Sequence, residues 1–178
     1  MKERIMHQAI LRFNSEGAAF KLDDIAKDLK ISKKSIYKWY TDKESLLEHI
    51  VTHLFDVIQK AKHSIYENSN LNELEKLIEI LCVYPDYEVF NYKFIPDLKH
   101  QYPVLYASVE EQLTVNWEET FDLLKLCIEL GYIKPIENGL FKIIFLGLYK
   151  ELLLQEDAHP KERMRESIQF IIYGLKKN

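Results

Sequence analysis

The chain has 178 residues and a net charge of −4; 47% of it is hydrophobic and 29% charged, a balance that builds a core and excludes intrinsic disorder. Five Gly and five Pro are too few for the many tight turns of a sandwich or barrel, so an all-α fold is predicted. Charge and His interrupt the apolar N-terminus, which argues against a secretory signal. The longest uncharged stretch, between Lys99 and Glu110, falls far short of a membrane span.

In chain order, Ile5, Ala9, Ile10 and Phe13 repeat at three and four residues and predict a first helix. It ends at Gly17, a residue suited to the left-handed position after a helix C-terminus. A short second helix turns Leu22, Ile25, Ala26 and Leu29 inward, with Asp23 and Asp24 favourable against the dipole in its first turn. Ser32 caps a third segment, Lys33-Lys34-Ser35-Ile36-Tyr37-Lys38-Trp39-Tyr40. Thr41-Asp42-Lys43-Glu44 then reads as a capping box opening a long fourth helix. The stripe Leu47, Ile50, Val51, Leu54, Ile58, Ala61 and Ile65 carries that helix to about residue 65.

Five more helices follow: about 70–83, an aromatic-rich one over 86–99, one from near Pro103 to Leu130, one over 136–155, and one from Pro160 to about 176. No repeat, low-complexity tract or flexible linker interrupts them. Cys82 and Cys127 lie in apolar helical stretches outside any CxxC pair, so both are expected as buried free thiols in a reducing cytoplasm.

The second and third helices are only a few residues apart, and the third is short and cationic. That is the geometry of a helix-turn-helix, whose second helix enters the major groove. The charge distribution agrees. Residues 1–50 carry ten Lys/Arg against eight Asp/Glu, and residues 51–178 fourteen against twenty. A basic island on an acidic body suits a local phosphate-binding face. Lysines and tyrosine hydroxyls fit phosphate oxygens, and Ser35 is small enough to admit base edges.

The run Ile5, Ala9, Phe13, Gly17, Ile25-Ala26, Ile31-Ser32, Ile36-Tyr37, Tyr40, Lys43-Glu44 and Leu46-Leu47 resembles the N-terminal signature of TetR/AcrR transcriptional regulators. The resemblance covers about the first 50 residues. It implies a helix-turn-helix DNA-binding domain at 1–45 and a helical dimerisation and effector-binding domain at 46–178. The implied protein is no enzyme and has no cofactor. It is a homodimeric repressor released from an operator by a small hydrophobic or aromatic effector. Residue by residue, Tyr37 is implied near base or phosphate, Tyr40 near phosphate, and Lys43 on a phosphate, with Lys33, Lys34, Ser35 and Lys38 facing the groove. Three positions depart from the family pattern. Leu22 stands where a capping Thr is frequent. Lys30 occupies the usual turn Gly and accepts backbone strain. Lys34 replaces a common Gly.

Aromatics crowd the middle of the chain, and an apolar cavity with polar tips is the usual form of a small-molecule site. A seventh helix over 103–130 would align Tyr106, Leu113, Trp117 and Phe121, with Tyr84, Phe90 and Phe94 closing the other side. The eighth predicted helix is apolar almost all round, so it must be covered by its own core and by a partner. A two-fold interface is therefore expected from Leu140, Ile144, Gly147 and Leu148 with Met164, Ile168, Ile171 and Leu175. The rival class is a helical effector- or metal-binding protein without operator binding. His49 and His53 have a metal-compatible spacing but no nearby Cys or third His, and Glu156-Asp157-Ala158-His159 supplies only one Glu-x-x-His.

Overall fold

The computed structural model describes residues 1–83, 95–154 and 160–176, and the side chains of 95–96, 153–154 and 160 lie outside that description. The described helices are α1 (Lys2–Glu16), α2 (Leu22–Asp28), α3 (Lys33–Tyr37), α4 (Lys43–Tyr66), α5 (Glu73–Leu81), α6 (Ile95–Gln101), α7 (Pro103–Gln112), α8 (Glu118–Glu129), α9 (Asn138–Leu154) and α10 (Pro160–Leu175). A 3-10 turn, Gly17–Ala19, follows α1. Among the described residues the only β pairing is a single bridge between Ile133 and Lys176. No described helix is long and apolar enough to cross a membrane.

The chain divides into two compact units, Met1–Asp56 with Pro85–Gln112, and Val57–Tyr84 with Leu113–Asn178. The first therefore holds more than residues 1–45: it keeps the start of α4, and it includes α6, which packs on the 3-10 turn, and α7, which packs on α6.

In the first unit, Ile5, Ala9, Phe13 and Ile25 are fully buried, as their spacing predicts, and so are Ile36 and Leu46. Arg12 locks α1 to α2: its Nε and Nη2 donate to the two oxygens of Asp28 at 2.7 and 2.8 Å, and Gln8 Nε2 donates to Asp28 at 2.8 Å. The guanidinium holds the Asp28 carboxyl below its ordinary range. Between α2 and α3, Lys30 adopts φ 54°, the strained conformation predicted from the missing glycine. The cap of α4 lies one residue further along than the sequence suggests. Asp42 Oδ1 accepts from the Ser45 backbone N–H at 2.8 Å, while Ser45 Oγ accepts from the Asp42 backbone N–H at 3.3 Å. Asp42 and Ser45 thus form the reciprocal box expected of Thr41 and Glu44.

In the second unit, α5 packs on α8 and α10, and α10 packs on α9. A capping box between Asn72 and Glu75 starts α5. Arg165 on α10 reaches Glu79 on α5 with two bonds of 2.7 and 2.8 Å. Phe141, Phe145, Met164, Ile168 and Ile172 are fully buried. Cys127 is buried and Cys82 half-buried; both are free thiols, and burial pushes them up to about 12 and about 11.

The single helix expected over 103–130 is broken. α7 ends at Gln112, α8 begins after Trp117, and Asn116 between them has φ 59°. Asn is among the few non-glycine residues that enter this region readily, because its side chain can bond locally. The apolar three-and-four spacing continues across the break and hid it from the periodicity.

Candidate nucleic-acid interface

Ser32 starts α3 as expected: its hydroxyl accepts from the Ser35 backbone N–H at 3.2 Å and lies 2.9 Å from Ser35 Oγ. Only Ile36 of this helix is buried, and it anchors the segment to the core. Backbone bonds from Trp39 and Tyr40 to the Ile36 carbonyl carry the helical turn past Tyr37. The exposed side of this segment presents Lys34, Tyr37, Lys38 and Trp39, with Tyr37 and Trp39 each about half exposed at 52% and 50%. Among the described residues neither Lys34 nor Lys38 has a carboxylate partner. Two ammoniums and two exposed aromatics on one short helix and the turn that follows it are suited to phosphates and base edges. Trp39 is not among the contacts the sequence predicts. Its position on the third segment is legible there, but its exposure is not.

Three predicted contacts sit differently. Lys33 is exposed but ion-paired with Asp23 at the start of α2, so any phosphate must compete with that carboxylate. Tyr40 is a core residue, 3% exposed, and its hydroxyl lies 2.7 Å from Nδ1 of His49 on α4. Burial pushes the phenol up to about 12. The last position of the signature's Tyr-x-x-aromatic step therefore packs inward, and the expected Tyr40 phosphate contact is corrected on that ground. Lys43 is half-buried: its ammonium donates to the Ala18 carbonyl and stands 4.2 Å from the Phe20 ring centroid. It also lies 5.8 Å from the Tyr102 ring, and burial lowers its pKa. Lys43 borders an open cleft of about 530 Å³ with Phe20, Lys21, Asp23, Tyr37 and Gln101.

The predicted effector residues are only partly brought together. Leu113, Trp117 and Phe121 belong to the second unit. The Trp117 indole N–H donates to the Leu113 carbonyl at 3.1 Å, and the Trp117 and Phe121 rings are 5.8 Å apart. Tyr106 falls in the first unit, on α7 before the break, with the Lys99 ammonium over its ring. Tyr84, Phe90 and Phe94 lie outside the described residues.

The predicted dimer residues also separate. Met164 and Ile168 are fully buried within one chain, which removes them from a partner-facing surface, because the inward stripe of α10 packs on α9 and α5. Leu140 is half exposed, Gly147 is exposed, and Ile144, Leu148, Ile171 and Leu175 are half-buried. The strongly exposed apolar side chains here are Ile143 at 69%, Phe170 at 82% and Tyr173 at 55%, none of which the sequence places in the interface. Periodicity identifies the apolar helices but not which of two apolar faces points inward. His49, half of the His pair noted in the sequence, has Nδ1 engaged by Tyr40. Glu156 to His159 lie outside the described residues.

No protein-family model matches the chain. Among curated proteins it is 27% identical over 148 residues, 83% of this chain and 78% of the other, to the uncharacterized HTH-type transcriptional regulator YvaF of Bacillus subtilis (strain 168). It is 29% identical over 110 residues to the biofilm operon icaADBC HTH-type negative transcriptional regulator IcaR of Staphylococcus aureus (strain Newman), covering 61% of this chain and 53% of that one. Among solved structures it superposes on the fatty acid degradation regulator FadR of Bacillus halodurans with a TM-score of 0.78 at 16% identity, over 99% of this chain and 97% of that one. The TetR-family regulator PfmR of Thermus thermophilus gives 0.76 at 19% identity, over 98% of this chain and 100% of that one. The fold is that of TetR-family regulators such as PfmR, and the curated relatives this chain resembles are HTH-type transcriptional regulators.

Proposed function

We propose that this regulator is a homodimeric repressor that holds operator DNA through the exposed side of α3 and lets go when a small apolar effector binds its second unit. The observation that carries the DNA reading is the Lys34, Tyr37, Lys38 and Trp39 surface on a helix anchored by Ile36 and capped by Ser32. Dimerisation is supported by the exposed Leu140, Ile143 and Gly147 on α9 and the exposed Phe170, Tyr173 and Gly174 on α10. A side chain added at Gly147 or Gly174 would meet nothing within 4 Å in the single chain. A mid-helix glycine costs about 1 kcal/mol relative to alanine, and a second chain packed on this face gives both glycines a reason. Two recognition helices related by a two-fold axis then read a palindromic site. An effector can lower DNA affinity only by binding the non-DNA conformation more tightly. The lever would be α4, which begins at Lys43 and contributes to both units. A gel shift on DNA upstream of the chain's own gene tests the reading: a specific shift supports it, and none at micromolar protein refutes it.

A further inference from the structure

Lys62, on α4 within the second unit, is mostly withdrawn from solvent, and among the described residues no hydrogen-bond acceptor reaches its ammonium. It faces the ring of Trp117, whose centroid lies 5.7 Å from Nζ. A second ammonium, Lys142, lies 5.8 Å from the same ring and is fixed by a 2.6 Å bond to the Thr114 carbonyl. Trp117 is itself the N-cap of α8, where no side chain caps the helix, so the first N–H groups of a twelve-residue helix begin at this point. One turn on, Thr120 is 2% exposed, and its hydroxyl has no partner among the described residues. Trp117 and Thr120 are three residues apart and share a helix face. The nearby Glu119 carboxylate is engaged by His63 at 2.6 Å.

Burial lowers the Lys62 pKa against the opposing pull of Glu119. An ammonium without a hydrogen-bond acceptor and a buried hydroxyl without a partner are both unfavourable away from water unless an acceptor completes them. The ammonium, the hydroxyl and the first N–H groups of α8 all donate, and among the described residues no carboxylate reaches Lys62 at ion-pair distance, Glu119 acting on it only from further away. The indole beside them offers a flat apolar surface.

We propose that Lys62, Trp117 and Thr120 receive the carboxylate end of a small organic acid, Lys62 and Thr120 binding the carboxylate and Trp117 the adjoining apolar body. This rests on the effector reading above and narrows it: the effector is anionic, not merely hydrophobic. Lys142 contributes positive potential without a direct bond.

The test uses Trp117 fluorescence in the full-length Trp39→Phe protein, with octanoate and benzoate as probes and octanamide and benzamide as their neutral counterparts. At least one carboxylate should bind about tenfold or more tightly than its amide, the scale of one charge-assisted hydrogen bond. Lys62→Gln should abolish that preference and Lys62→Arg should keep it. Equal binding of acid and amide, no binding of either acid, or a preference surviving Lys62→Gln overturns the site. If Lys62→Gln does not fold, the acid-against-amide comparison decides alone. Release of DNA from the wild-type protein is scored separately. Acid binding without release keeps this site and refutes the repressor switch, and release without acid preference does the reverse.

Discussion

The Tyr40 hydroxyl lies 2.7 Å from His49 Nδ1, tying the residue that closes the recognition segment to the second turn of α4. Ile36 packs one side of that segment and Tyr40 fixes its exit, so the orientation of the exposed Lys34–Trp39 face follows from two buried residues. Tyr40→Phe removes the bond but keeps the ring. It should cost about 1 kcal/mol of stability and leave the salt dependence of DNA binding unchanged. Denaturant unfolding and binding titrations check the two halves independently.

The same pair sets a pH dependence. Burial, then the charges of Lys2 and His53, hold His49 below its ordinary pKa of 6.5. Protonation therefore favours the unfolded chain, and the contribution of His49 is present at neutral pH and lost as pH falls through and below about 6.5. The exposed His63 has the opposite sign: Glu119 raises its pKa, so its small contribution fades as pH rises. His49→Gln should therefore flatten the acid side of a melting-temperature profile between about pH 7.5 and 5.5. An unaltered profile would remove His49 from the account.

Lys43 separates a phosphate role from a structural one. Its ammonium is bonded to the Ala18 carbonyl and lies against Phe20, so a phosphate would have to draw it from those partners. Lys43→Ala should lower thermal stability and also shallow the log–log salt slope of DNA binding, by about 0.9 for each phosphate no longer neutralised. Lower stability with an unchanged slope would make Lys43 a brace between α4 and the 3-10 turn and nothing more.

For assembly, Phe170→Glu should give a folded monomer by sedimentation at micromolar concentration, because that ring is 82% exposed in the single chain. Ile168→Ala acts inside the protomer instead and should cost about 2–4 kcal/mol of folding stability. A Phe170→Glu protein that remains a dimer would move the interface elsewhere.

Much of this was legible from residue spacing. Ile5, Ala9 and Phe13 in α1, and Ile25 with Ala26 in α2, follow helical intervals and are buried accordingly. Ser32 has the chemistry of a cap and acts as one. Lys30 stands where a glycine would relieve strain, and it carries the positive φ. The break at Asn116 was not legible, because Leu113, Trp117 and Phe121 continue the apolar period while the backbone does not. Tyr40 and Trp39 are adjacent aromatics, and nothing in their identity says which is buried; the turn after α3 decides it. Met164 and Phe170 likewise sit on one helix, and only packing on α9 and α5 separates core from surface. The proposed site at Lys62 and Thr120 has no sequence signal, since its content is the absence of partners.

The central claim is that the exposed side of α3 contacts DNA, and salt-dependent binding to the upstream sequence tests it most directly. Wild-type protein and a Lys34→Ala/Lys38→Ala variant would be titrated by fluorescence anisotropy between about 50 and 200 mM salt, the range over which several phosphate contacts change affinity by orders of magnitude. Wild-type protein should prefer the upstream site to a scrambled duplex, with affinity falling steeply as salt rises. The folded variant should bind at least about tenfold more weakly, with a shallower slope and a reduced preference. Equal affinity, slope and preference in the two proteins would contradict the account.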